Sequence, residues 1–289
     1  MIDNLLTLIA KLFLGKGIDK KLPFLVNFYK KVFQRIVKDG EIEISIPLGL
    51  QLFVSKKDCG MGMYLRTKGE FESVQTRLFI DSLRKEATVF DVGANVGYYT
   101  LLASKIVGSK GKVYAFEPDP NNLKLLHKNV YINNCKNVTV IPFATSDKNG
   151  QSVFSLNLAN PGESRLSQGD KKDAILVKTI TIDSYVKSEN ITHVDIIKMD
   201  IEGAEIKSLL GGKKFFKNVK NIKLFVECNP EALNYFSGTV DDLIEILGKL
   251  GFSLDYIVNE KNKMLISYRQ DKLKQMLDYQ TIVSIIANK

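Results

Sequence analysis

Acidic and amide side chains recur where apolar, strand-like runs end, and their spacing suggests what they could bind. The run Thr88–Asp91 leads into Asp91-Val92-Gly93-Ala94-Asn95-Val96-Gly97. A glycine turn between a strand and a helix lets a ligand approach the backbone and meet the helix N-terminus. The dinucleotide pattern G-x-G-x-x-G needs glycine at 95 and 98 when counted from Gly93, but Asn95 and Tyr98 stand there. The turn D-x-G-x-N-x-G suits a smaller anion, such as an amino-acid carboxylate, with Asp91 beside it for the cationic amine. The next run ends in Phe116-Glu117-Pro118, 24 positions after Gly93. A carboxylate there can accept hydrogen bonds from both hydroxyls of a ribose. A third run leads to Phe143-Ala144-Thr145-Ser146-Asp147. An adenine ring would lie there, with Asp147 accepting from its amino group and Ala144 and Thr145 offering backbone atoms.

Two further strand ends carry the chemistry. Lys198-Met199-Asp200-Ile201-Glu202-Gly203-Ala204-Glu205 places three acids within six residues at a strand-to-helix junction. Glu205 suits a helix N-terminus, whereas Asp200 ends the strand. The next strand ends in Val226-Glu227-Cys228-Asn229-Pro230. Asp200, Glu227 and Asn229 could together hold a hard divalent metal ion through oxygen ligands. Equally, Asp200 or Glu227 could be a general base that takes a hydroxyl proton. Both readings stand at this point.

The elements that must position these residues follow from periodicity. From residue 86 onward, apolar strand-like runs alternate with helical patterns. Strands are expected at Thr88–Asp91, Lys112–Glu117, Val138–Ile141, Val194–Asp200 and Ile222–Cys228, with Phe252–Val258 and Met264–Tyr268 as the last two. Helices are expected at Gly97–Ile106, Pro120–Asn133, Ala204–Leu210 (stopped by Gly211-Gly212) and Asp241–Leu250. Two more β-rich runs, Ser152–Leu156 and Ile175–Ile180, flank a polar loop with Pro161, Gly162 and Gly169. Such alternation predicts an α/β fold whose parallel sheet has helices on both faces, with ligands beyond the carboxyl ends of the strands. Upstream, two amphipathic helical runs (Ile2–Phe13 and Leu25–Val37) precede a hairpin over Glu41–Val54 that turns at Pro47-Leu48-Gly49. Residues 1–70 therefore read as an N-terminal extension and 71–289 as the main domain. His127 and His193 are expected to be structural.

Composition bounds the rest. The chain has 289 residues, is 45% hydrophobic and 25% charged, and carries a net charge of +9. That excludes collagen-like, low-complexity and disordered classes. No uncharged apolar run reaches the roughly 18–20 residues of a spanning helix, and Asp3 and Lys11 argue against a signal peptide. Residues 1–40 hold eight basic side chains against Asp3, Asp19 and Asp39. This segment could cap the core, form a homodimer, or rest on a membrane surface. Cys59, Cys135 and Cys228 are odd in number and widely spaced, which fits a reducing compartment. The expected location is cytoplasmic, with peripheral contact at the inner membrane face as the extension of that reading.

At this point the chain resembles a known family. The stretch from about Glu70 to Tyr268 is similar to the FkbM-type S-adenosylmethionine-dependent methyltransferases. The resemblance rests on Phe71-Glu72, VFDVGANVGYYT (Val89–Thr100), FEPDP with Glu117, FATSD (Phe143–Asp147), TIDSY (Thr181–Tyr185) and KMDIEGAE (Lys198–Glu205). It implies a seven-stranded class I methyltransferase, Rossmann-like sheet and S-adenosylmethionine as cofactor. The implied activity is O-methylation of a sugar, glycan, glycolipid or natural product, so the acceptor would be a small molecule, a glycan or a lipid-linked compound. It further implies cofactor binding by Glu72, Asp91, Gly93, Asn95, Gly97, Glu117, Ala144, Asp147 and Asp200. Catalysis would fall to Asp200, partnered by Glu202 and Glu227. Many members carry a histidine after the fifth-strand glutamate, where this chain has Cys228-Asn229. The competing readings are a nucleic-acid methyltransferase, for which no basic-aromatic platform is seen, and an inactive binding protein on the same fold. The intact acids at four strand ends argue against the latter.

Overall fold

The strands that carry the acidic ends lie side by side in one sheet. The computed structural model describes residues 32, 33, 35–157, 164–167, 174–277 and 282–289. Strands β3 (Thr88–Val92), β4 (Lys112–Phe116), β5 (Val138–Ile141), β10 (Ile196–Met199) and β11 (Lys223–Cys228) run parallel, in the order β5-β4-β3-β10-β11. The strand order reverses between β3 and β10, and such a reversal opens a crevice beyond the strand carboxyl ends. The sheet continues through β14 (Val283–Asn288), β12 (Ser253–Asn259) and β13 (Met264–Ser267). β14 pairs antiparallel with both β11 and β12, so β12 is parallel to the other five. The result is a mostly parallel α/β sheet.

One expectation changes here. Met264–Tyr268 does not supply the seventh strand. β13 is an added edge strand in a hairpin with β12, whereas Val283–Asn288 fills the place between β11 and β12. The helix Glu205–Gly211 ends at Gly211-Gly212 as expected, with Gly212 as its C-cap. Gly212 is also the N-cap of a following helix, Lys213–Asn218.

The central strands are buried on both faces, which explains their continuous apolar runs. Alternation along β3 sends Phe90 and Val92 to one side and Val89 to the other. Phe90 joins Tyr114, Phe116, Tyr185 and Phe215 in an aromatic cluster with ring centroids 4.9–6.4 Å apart. Val89 packs with Leu101, Leu102 and Ile196. That second core also takes Leu50, Leu52, Val54, Met61 and Leu65, so the segment before residue 70 shares a core with the sheet.

The hairpin of β1 (Glu41–Ile46) and β2 (Leu50–Ser55) turns at Pro47–Gly49, as expected. Its open edge is docked by α4 (Pro120–Ile132) and the residue after it. Asn129 Oδ1 accepts the Phe53 N–H at 2.7 Å and its Nδ2 donates to the Phe53 carbonyl at 2.9 Å. Asn133 does the same for Gln51 at 2.9 and 2.6 Å. Of the expected N-terminal helices, residues 1–31 lie outside the described residues. Val32, Phe33, Arg35 and Ile36 are helical, and Phe33 and Val37 are buried.

A second sheet, β6-β9-β7-β8, stands beside the first. It comprises β6 (Ala144–Thr145), β7 (Gly150–Ser155), β8 (Arg165–Leu166) and β9 (Ala174–Ile180). Two helices that periodicity did not reveal, α1 (Met61–Lys68) and α2 (Ser73–Ser82), precede β3. Helix α8 (Pro230–Tyr235) follows β11. No helix of the described residues is long and apolar enough to cross a membrane.

Candidate active site

A cleft of about 850 Å³ opens beyond the carboxyl ends of β3, β4, β10 and β11. It is walled on one side by the second sheet and on another by Gly60–Tyr64 and Phe71-Glu72. That volume is at the upper end of small-molecule sites and suits two ligands together.

The glycine turn forms the part of the wall where β3 meets β10. Gly93 has φ +85°, and a Cβ there would stand 1.9 Å from the Asp200 carbonyl oxygen, so only glycine lets the two strand ends approach. Asn95 follows in the left-handed region (φ 52°). Its N–H donates to Glu117 Oε2 at 2.8 Å, while Glu117 Oε1 accepts the Asp119 N–H at 2.8 Å. Glu117 thus ties the loop after β3 to the start of α4. Each carboxylate oxygen retains acceptor capacity, and the residue lines the cleft. Burial pushes its pKa up to about 8, against the pull of these backbone donors.

Three expected ligand contacts are corrected. Asp91 is 1% exposed and does not line the cleft; its Oδ2 accepts from the Thr100 hydroxyl at 2.5 Å. Gly97 is the left-handed N-cap of the helix Tyr98–Val107, packed against Leu126 rather than facing a ligand. Asp147 is exposed and outside the lining, with its Oδ1 accepting from Ser146, because the chain turns away from the cleft after Thr145. Phe143, Ala144 and Thr145 do line it.

A buried cation organises the acids, and its role was not foreseen. Lys198 lies opposite Asp91 in the β10/β3 register. Its Nζ donates to Asp200 Oδ2 at 2.8 Å and sits 4.5 Å from the Tyr99 ring centroid. Burial lowers its pKa, but Asp200, Glu72 and Asp91 more than offset this and hold it above the usual lysine value. A lysine inside a buried strand is itself a sequence signal, since a buried charge requires partners. Glu72, left-handed at φ 44°, sits at the N-cap of α2. Its Oε2 accepts from Tyr99 Oη at 2.6 Å and Gln75 Nε2 at 2.8 Å. Burial raises the pKa of Glu72, with Lys198 opposing.

Past β10, Glu205 is spent on structure. Its Oε1 accepts the N–H groups of Ile201 (3.0 Å) and Gly203 (3.2 Å). That holds Glu202 in the left-handed region at φ 53°. Asp200, Glu202 and Glu227 each offer a carboxylate oxygen within 4.8 Å of one another. Glu227 Oε2 is buried with no hydrogen-bond partner among the described residues. Burial, then Asp200 and Glu202, raise the Glu227 pKa well above the carboxylate range. Asn229 lines the cleft, but its Oδ1 caps α8 by accepting the Ala232 N–H at 3.2 Å, so Glu202 replaces it in the oxygen cluster. His193 pairs with Asp195 and His127 is exposed, both outside the cleft.

A family model described as "Methyltransferase FkbM domain" matches residues 91–254. The chain is 29% identical over 138 residues to the hexuronic acid methyltransferase AglP of Haloferax volcanii, covering 47% of this chain and 54% of that protein. It therefore spans about half the length of that relative. It is 23% identical over 170 residues to Methyltransferase 1 of Beauveria bassiana, covering 50% of this chain and 68% of that one. Among solved structures, the methyltransferase FkbM from Methylobacillus flagellatus KT aligns with a TM-score of 0.47 at 17% identity, covering 78% of this chain and 52% of that chain.

Proposed function

We propose that this chain, which belongs to the FkbM methyltransferase family, transfers a methyl group from S-adenosylmethionine to a hydroxyl of a sugar, free or lipid-linked. The similarity to AglP, a hexuronic acid methyltransferase, supports the sugar class. Glu117 fits the cofactor's ribose diol, the backbone of Gly93–Asn95 its amino-acid end, and Phe143-Ala144 its adenine. When bound, the cofactor supplies an electrophilic sulfonium methyl.

The chain's own residues then position an acceptor hydroxyl and take its proton. The observation that carries this reading is the buried Glu227 Oε2 with no partner among the described residues. An acceptor atom held dry and unsatisfied gains a hydrogen bond when a hydroxyl donates to it, which places Glu227 to take that proton. Asp200 already receives the Lys198 ammonium, so the reading shifts the base from Asp200 to Glu227. Asp200 and Glu202 orient the hydroxyl. Glu227 would take the hydroxyl proton while the sulfonium supplied by a bound cofactor would donate its methyl.

Glu227→Gln should lower turnover by about 10²–10⁴-fold while S-adenosylhomocysteine still binds. Near-wild-type turnover would overturn the assignment. The oxygen cluster favours a second reading, in which Asp200, Glu202 and Glu227 hold a hard divalent cation that orients the hydroxyl. Activity lost to a chelator and restored by Mg²⁺ or Mn²⁺ selects that reading, and chelator-resistant activity selects the base.

A further inference from the structure

The charges lining the cleft are uneven. Six acids reach it, Glu72, Glu117, Asp200, Glu202, Glu227 and Glu231, against the cations Lys198 and Arg165. Lys198 is spent on Asp200. Arg165 differs. It opens β8 in the second sheet, is half-buried, and its guanidinium lies 4.6 Å from the centroid of the Tyr235 ring. Tyr235 is itself held by a 2.9 Å hydrogen bond between its hydroxyl and Ser167 Oγ. Among the described residues, no carboxylate lies within 4 Å of Arg165.

A guanidinium lying over an aromatic ring still has N–H donors to offer a planar oxyanion. Among the described residues lining the cleft, Arg165 is the cation without a carboxylate partner, so an anionic acceptor is drawn to it. One unspent positive charge among the described lining residues matches a monoanion better than a dianionic phosphate. Resting on the sugar O-methylation reading, we infer that Arg165 anchors the carboxylate of a uronic-acid acceptor. Arg165 thereby orients the sugar, with its carboxylate toward the second sheet and its hydroxyls toward Asp200 and Glu227. The same arrangement discriminates against neutral sugars, which leave the guanidinium unpaired.

The test uses the full chain loaded with S-adenosylhomocysteine, titrated with 4-nitrophenyl β-D-glucuronide and 4-nitrophenyl β-D-glucoside. Glucuronide should bind about tenfold or more tighter. Arg165→Gln should abolish that preference without changing S-adenosylhomocysteine affinity, and Arg165→Lys should restore only part of it. Equal binding of the two glycosides, binding of neither, or a preference that survives in Arg165→Gln overturns the inference. Methyl transfer from S-adenosylmethionine is followed separately on both glycosides. Transfer without a glucuronide preference sinks the Arg165 assignment alone. A glucuronide preference without transfer to any hydroxyl sinks the parent reading alone.

Discussion

Cofactor affinity should depend on pH through one residue, Glu117. Burial pushes its pKa to about 8, so at neutral pH the empty cleft holds it mostly protonated. A ribose diol donates two hydrogen bonds and is best received by the ionised form. Binding below that pKa must therefore release a proton, and affinity rises with pH until Glu117 is ionised beforehand. For one such group, affinity should increase about tenfold per pH unit below pH 8 and level off above it, roughly a hundredfold between about pH 6 and pH 9. Calorimetric titration of S-adenosylhomocysteine in buffers of different ionisation enthalpy reads both the affinity and the proton count. Nearly one proton should be released at about pH 7 and almost none at about pH 9. Glu117→Gln removes the titration and should flatten the profile. Titration of the ligand's own amine is common to both proteins and cancels. A flat wild-type profile, or an equal slope in Glu117→Gln, would refute the reasoning.

Two further outcomes follow from the same cleft. Lys198→Met strips the only cation paired with Asp200 among the described residues and leaves Asp91 and Glu72 uncompensated. It should cost about 3–5 kcal/mol, a fall of roughly 6–20 °C in Tm, with partial recovery when Asp91→Asn is added; a loss under about 1 kcal/mol would contradict the buried-network account. Because folding raises the Lys198 pKa, its contribution is complete below the unfolded-state lysine value of about 10.4 and is lost as pH climbs through the folded value. Alkaline melts should show that loss in wild type and not in Lys198→Met. Gly93→Ala places a methyl 1.9 Å from the Asp200 carbonyl at φ +85° and should cost more than about 3 kcal/mol. Gly49→Ala, also at positive φ but with nothing within 4 Å, should cost about 1 kcal/mol. Equal denaturation midpoints for these two variants would mean the strand ends tolerate separation.

Much of the site was legible because local chemistry and global placement agree. Apolar runs mark β3, β4, β10 and β11, and the crevice lies beyond the carboxyl ends of parallel strands, so residues close to those ends can reach it. Hence Gly93, Glu117, Asp200 and Glu227 all line it. Asp147 failed because two residues past a strand end the chain had already turned outward. Asn229 was readable in another way: an asparagine before proline is a helix N-cap signature, and capping claimed the oxygen assigned to a metal. Lys198 stands inside the KMDIEGAE motif with no local sign of its role, since its partners Glu72 and Asp91 lie more than 100 residues away in sequence. The seventh strand was missed because Val283–Asn288 pairs only with distant strands and has no helical rhythm before it to frame it. Arg165 carries no sequence pattern; only the docking of α8 against the second sheet brings Tyr235 beneath it.

The asparagine clamp on the hairpin has a consequence for the order of assembly. Its two halves are 76 and 82 residues apart in sequence. During synthesis, which adds about 5–20 residues per second, β2 emerges several seconds before Asn129 and Asn133 can cover its edge. An isolated two-stranded hairpin is marginal in water, and an open strand edge invites pairing with another chain. The nascent protein therefore passes through an interval in which this hairpin is a template without a lid. In the finished molecule the asparagines act as a lock that can close only once the helix bearing them has been made.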